Sequence, residues 1–192
     1  MGREFELKYR ADAEKIAAIR EKYGAFSAIS METTYYDTPD RRLGQLRWTL
    51  RRRFENGTSV CTVKTPAKDG GRGEWETECQ RVLDAVPQLC DLGAPAVLIS
   101  LTMDGVEEVC GARFTRLAKT VELEGCTVEI ALDEGCLLGG GREIPLCEVE
   151  VELKSGSQET AVAFAKALAA EFGLVPETAS KFKRALDLAE LK

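Results

Sequence analysis

Two stretches of the chain alternate charged and apolar residues with a period of two, and a third does so more loosely. Glu4, Glu6 and Lys8 fall on one face of an extended segment and Phe5, Leu7 and Tyr9 on the other. Near the end, Glu148, Glu150, Glu152 and Lys154 oppose Val149, Val151 and Leu153, while Glu129 and Asp133 oppose Val128, Ile130 and Leu132. Side chains of a strand alternate faces, so each stretch predicts a strand with one charged and one apolar side. β-branched and aromatic residues predict further strands over 28–37 and 46–54, with Asp37-Thr38-Pro39-Asp40 turning the chain between them. Asn56-Gly57 predicts a hairpin into a strand ending at Lys64. A glycine-bearing mobile loop is expected over 68–73, then a strand over 74–80, and the last three strands over 114–123, 127–132 and 146–154.

Helical spacing of Ile16, Ile19 and Tyr23 predicts a helix over 13–23, starting near Asp12 and stopping at Gly24. Short helices are expected within 82–109. Phe164, Leu168 and Phe172 form one stripe of a helix over 157–172 that stops at Gly173, and a last helix spans about 179–191. No internal repeat or linker is visible, which predicts one domain over 1–192.

The charged faces are segregated by type. Arg51 and Arg53 share a face, as do Thr62 and Lys64, and Arg72, Glu74 and Glu76 flank Trp75. For a single strand, a solvated outer face explains such a pattern. Taken together, a carboxylate-rich strand and a strand of paired arginines suggest instead that the charged faces share a wet, ligand-holding interior, with the hydrophobic core outside the sheet beneath the helices. Trp48 and Trp75 are then expected to pack under helices, and Asp37 or Thr38 to cap backbone groups at the turn.

Composition narrows the chemistry. The 192 residues are 44% hydrophobic and 30% charged, and no apolar run approaches the ~20 residues of a membrane helix. The start of the chain carries no apolar leader, so a cytoplasmic protein with no membrane association is expected. Seven widely spaced cysteines without a CxxC pair are expected to be reduced, mostly buried packing residues. The absence of histidine removes Ser-His and Cys-His catalysis and leaves carboxylates as the main metal ligands. Oxygen ligands favour magnesium, manganese or calcium. The net charge of −6 argues against nucleic acid as a partner.

Glu4-Phe5-Glu6-Leu7-Lys8 resembles the ExExK signature of CYTH domains, the triphosphate tunnel metalloenzymes. In the same order as in that family follow Tyr35-Tyr36-Asp37-Thr38-Pro39, Leu50-Arg51-Arg52-Arg53, Thr62-Val63-Lys64-Thr65-Pro66, Arg72-Gly73-Glu74, Glu129 to Asp133, Glu148 to Lys154, and Ser180-Lys181. The resemblance implies an α+β, mainly β fold: a closed eight-stranded antiparallel barrel tunnel with a charged interior and helices packed outside. It implies magnesium or manganese as cofactor and a small-molecule triphosphate as partner. Bacterial inorganic triphosphatases of the family often carry a C-terminal CHAD domain, and none is expected within these 192 residues. Either a monomer or a homodimer is expected.

By position, the resemblance implies metal ligation by Glu4, Glu6, Glu148 and Glu150, and phosphate binding by Lys8, Arg51, Arg53 and Lys64. Arg72, Arg116 and Lys181 match substrate-binding positions less sharply. Lys119 stands near a second arginine position of the family but three residues from Arg116, off its strand face unless a bulge intervenes. Glu152 is left as a ligand, a partner of a basic residue or a solvated end.

A triphosphate repels an attacking water, so catalysis is chiefly positioning and charge stabilisation. Arginine forks and lysine point charges suit the phosphates, and a divalent cation reconciles phosphate with carboxylates. Glu6 or Glu150 is the candidate proton acceptor, with Lys8 beside them, and a metal-bound hydroxide is the alternative base. Metal-dependent hydrolysis of inorganic triphosphate is the leading expectation. A class IV adenylyl cyclase, a thiamine triphosphatase and a non-catalytic polyphosphate-binding module are the alternatives.

Overall fold

The computed structural model describes residues 5–66 and 72–191, with the backbone alone at Arg72. Each of the eight expected strands is present: β1 (Glu6–Arg10), β2 (Ser27–Asp37), β3 (Thr49–Glu55), β4 (Thr58–Pro66), β5 (Arg72–Glu78), β6 (Glu107–Leu123), β7 (Cys126–Gly139) and β8 (Arg142–Gly156). A two-residue β9 (Val175–Pro176) joins them. All pair antiparallel in one sheet, in the order β5-β4-β3-β2-β6-β7-β8-β1-β9.

The expected closed eight-stranded barrel is therefore corrected to a nine-stranded sheet that is not closed. Among the described residues, no ladder joins β5 to the other end. The outer side of β1 is taken by β9, which pairs with Tyr9 and Arg10, and Glu177 N donates to Lys8 O at 2.9 Å. Even so, the sheet curls steeply. β1 and β4 stand six places apart, about 29 Å at the ordinary strand spacing of about 4.8 Å if the sheet were flat, yet their side chains line one pocket.

Helices cover the convex face in two blocks. α1 (Ala13–Tyr23) and α5 (Gln158–Phe172) enclose a core of Ile16, Ile19, Ala165 and Leu168 against Val128, Ile130, Leu132, Val149 and Val151. Asp12 caps the first of these helices by accepting from Lys15 N, and Ser157 caps the other by accepting from Thr160 N. α3 (Val82–Asp91) and α4 (Val97–Leu101) cover Tyr36, Leu50, Cys61 and Val63, with Trp48 and Trp75 packed alongside as expected. The expected helical stretch ends earlier than 109, because β6 begins at Glu107. At the turn after β2, Asp37 accepts from the backbone of Thr38, Leu43 and Gly44, which seats the short α2 (Arg42–Gln45). Three of the seven cysteines are buried and four are half-buried, fewer buried than expected, and all are free.

The second correction concerns the last helix, α6 (Lys181–Glu190). It packs on β6 and β7 from the concave side, where Ala185, Phe182, Leu186 and Ala189 meet Met31, Tyr35, Ala112, Phe114, Leu137 and Leu146. The register shows these strand residues on the same face as the charged ones: Tyr35 lies opposite Arg51, and Asp133 opposite both Arg116 and Glu148. A third core therefore lies inside the curl. The helix comes so close that a Cβ on Gly139 would stand 2.4 Å from Ala185 O.

Candidate active site

The apolar half of the concave face is covered by α6, and the charged half is left as a pocket. Its wall is made by Glu6 and Lys8 of β1, Tyr35 of β2, Thr49, Arg51 and Arg53 of β3, Lys64 of β4, Arg116 of β6, Glu150 of β8, and Ser180, Lys181 and Phe182 at the start of α6. Six of these side chains are basic and two acidic. The period-two pattern explains the wall, because each contributing strand puts every second residue into it.

The two sides of the pocket differ in how their charge is held. On the α6 side, Arg116 forks onto Asp133 at 2.8 and 2.7 Å and also donates to Glu150 at 2.5 Å. Lys181 Nζ lies 2.8 Å from both Asp133 Oδ2 and Glu150 Oε1 and contacts Glu148, which also meets Arg184. Asp133 and Glu148 are fully buried. Burial opposes the charge of Lys181 and of Arg116, but the surrounding carboxylates raise both pKa values above their ordinary ones. Burial would likewise raise Glu150, yet Lys181 and Arg116 hold it well below the carboxylate range. Glu148 is pushed up, first by burial and then by Glu150, against the pull of Lys181.

On the opposite side the basic groups crowd one another. Arg53 donates to Thr33 Oγ1 at 2.9 Å and stands 3.6 Å from Glu55. Its pKa falls to about 10, through burial first and then the charges of Arg51 and Arg116. Glu74 lies 3.0 Å from Lys64 and 3.7 Å from Arg51, and Arg51 Nε is buried with no hydrogen bond. This wall thus carries more basic than acidic side chains.

Lys8, Arg51, Arg53, Lys64, Arg116, Lys181, Glu6 and Glu150 are thus brought to one cavity. Glu148 lies beneath it in ion pairs rather than on its wall. Glu4 and the Arg72 side chain lie outside the described residues. Lys119 does not reach the pocket: it pairs with Ile130 of the outer core, no bulge shifts this ladder, and its Nζ donates to Ala25 O at 3.3 Å. Asp133, Tyr35 and Phe182 were missed as site residues. Asp133 shares the parity of Glu129, which was the available signal, whereas the aromatic pair carried none.

The donor set fits a hard divalent cation in kind, since the pocket offers oxygen ligands, its charged ones being the carboxylates of Glu6 and Glu150. Oxygens of Asp133, Glu148 and Glu150 lie within 4.8 Å of one another, but Lys181, Arg116 and Arg184 already neutralise this trio. At the wall, Glu6 accepts from Lys8 at 3.1 Å. Glu6 lies opposite Glu152, which lies opposite Glu129, and Lys154 meets the latter two at 2.8 and 3.4 Å. Glu152 is thereby a partner of a basic residue.

The fold and pocket define a curled antiparallel sheet protein with a basic wall opposed by buried carboxylates. The family model of the CYTH domain matches residues 2–186, and the chain belongs to that family. It is 30% identical over 158 residues to an inorganic triphosphatase of Haemophilus influenzae, a match that covers 81% of this chain and 45% of that protein. The chain thus spans about half the length of that relative. Among solved structures, it resembles the PH1819 protein of Pyrococcus horikoshii OT3, with a TM-score of 0.64, 28% identity and coverage of 96% and 99%. The Hippeastrum protein HpAC1, described as revealing a dominant triphosphatase activity, shares the fold with a TM-score of 0.68, 19% identity and coverage of 98% and 97%.

Proposed function

We propose that the protein hydrolyses inorganic triphosphate with the help of magnesium or manganese. The observation that carries this reading is the crowded basic wall: six basic side chains line one pocket against two acidic ones, and Arg51 Nε is buried there with no hydrogen bond, an arrangement that a multiply charged anion would balance. The activity of the Haemophilus relative supports the choice of a triphosphate.

In this reading Arg51 and Arg53 grip phosphate oxygens as forks, and Lys8 and Lys64 meet them as point charges. Arg116 and Lys181 complete the wall, with their orientation set by the carboxylates behind them. Glu6 and Glu150, with Glu4 as a further candidate, would hold the metal, while Glu148 stays behind them in its ion pairs with Lys181 and Arg184. The bound ion supplies charge neutralisation between carboxylates and phosphate and eases deprotonation of water. Glu6 takes the proton, since Lys181 and Arg116 hold Glu150 too acidic to serve as the base, and Lys8, bonded to Glu6, fixes that carboxylate. Tyr35 and Phe182, the aromatic wall residues, pack on each other with centroids 5.0 Å apart.

The test is to incubate the protein with tripolyphosphate, ATP and thiamine triphosphate plus magnesium or manganese, and to quantify orthophosphate and cyclic AMP. Orthophosphate chiefly from tripolyphosphate is expected. Cyclic AMP as the main product would make the protein a cyclase instead.

A further inference from the structure

Arg184 stands one turn after Lys181 on α6 and does not line the pocket. It contacts Glu148 of β8, and its other terminal nitrogen lies 3.8 Å from Glu177. Glu177 begins the connection from β9 to α6: its N–H donates to Lys8 O at 2.9 Å, and its carboxylate accepts from Ala179 N at 2.8 Å. Behind the wall, three carboxylates (Asp133, Glu148, Glu150) face three cations (Arg116, Lys181, Arg184), so the buried charge sums to zero only with Arg184 included.

We infer that Arg184 is a positioning residue: by sharing Glu148 with Lys181, it leaves the Lys181 ammonium centred among three carboxylates at the pocket wall. Without Arg184, Glu148 has one cation left and draws Lys181 toward itself, because an unpaired buried carboxylate is costly. Glu150 then faces the pocket with less of its charge cancelled and repels phosphate. Arg184 acts on the anion only through Lys181 and Glu150. The consequence for turnover rests on the triphosphatase reading; the placement of Lys181 does not.

The experiment compares Arg184→Met, Arg184→Lys and the double variant Arg184→Met/Glu148→Gln with wild type. Two readouts are taken: the NMR signal of the Lys181 Nζ ammonium, and KM and kcat for tripolyphosphate. Arg184→Met is expected to shift the Lys181 signal and to raise KM about 10-fold, with kcat changed less than about 3-fold. Arg184→Lys should recover part of both. The double variant should bring both back toward wild type, because the neutral amide in place of the Glu148 carboxylate no longer competes for Lys181, whereas a merely structural arginine would gain nothing from losing its partner as well. An unmoved Lys181 signal in folded Arg184→Met, or no recovery in the double variant, overturns the inference. If wild type leaves tripolyphosphate intact, the functional reading falls, and the Lys181 signal still decides the positioning.

Discussion

Lys181 Nζ lies 2.8 Å from Glu150 Oε1, with Asp133 Oδ2 at the same distance on another side. The first residue of the last helix is thus bound into the carboxylates of two central strands. Removing the ammonium leaves three buried carboxylates to two arginines. Lys181→Met should therefore destabilise the fold by about 3–5 kcal/mol in urea unfolding, the scale of a broken buried pair. A loss under about 1 kcal/mol would mean that the trio has relaxed or taken up protons.

The pH response follows from Glu150. Its folded pKa is depressed below the ordinary 4.5, so its contribution is fully present above about 4.5 and is lost as pH falls toward the folded value. The stability advantage of wild type over Glu150→Gln should shrink below pH 4.5 by at most about 1.4 kcal/mol per pH unit. Denaturant titrations from pH 6 to 3 read it, and a constant difference would refute the ion-pair account.

Opposite faces of the sheet should respond differently to loss of a cation. Arg51→Ala or Arg53→Ala should weaken tripolyphosphate binding by about 1–3 kcal/mol, the scale of a lost charged hydrogen bond. Lys119→Ala, on the convex side, should bind as wild type does. Calorimetry separates them, and equal losses would place the anion elsewhere.

Adjacent residues of β1 should separate activity from stability. Glu6→Gln should cut hydrolysis at least ~100-fold while melting holds or rises without metal. Leu7→Asp puts a charge against the convex core that Leu7 packs on, and should cost several kcal/mol with or without ligand. Paired melting and phosphate release for both variants is the measurement. Wild-type turnover by Glu6→Gln would remove β1 from the chemistry.

Turnover should require a divalent ion and vanish in EDTA, since carboxylates and phosphate otherwise repel. Full activity in chelated buffer would rule out the metal-assisted mechanism.

The alternation of Glu148, Glu150 and Glu152 with Val149, Val151 and Leu153 was enough to foresee β8 and its two unlike faces, since side-chain parity in a strand is a local property. For the same reason Asp12, Asn56-Gly57 and Gly24 marked the helix start, the hairpin and the helix stop where they occur. Pairing across the sheet was not local. Lys119 stood near a family phosphate position, yet its spacing of three from Arg116 put it off that face unless a bulge intervened, and only the unbroken pairing with Ile130 showed that none does.

The sequence by itself determined eight strands, their charged and apolar sides, and most of the side chains that now share a pocket, because these follow from the period of the chain and the chemistry of its residues. Tertiary structure alone decided that the sheet curls without closing and that α6 enters the concave side. It also decided that Lys181 stands at the pocket wall already bound to Asp133 and Glu150. The helix stripe of Phe182, Ala185 and Ala189 says that α6 has an apolar side, but not which surface receives it. That choice rests on Phe114, Leu137 and Leu146 being gathered from three strands onto the face that also carries the charges, a coincidence in space that no spacing along the chain records.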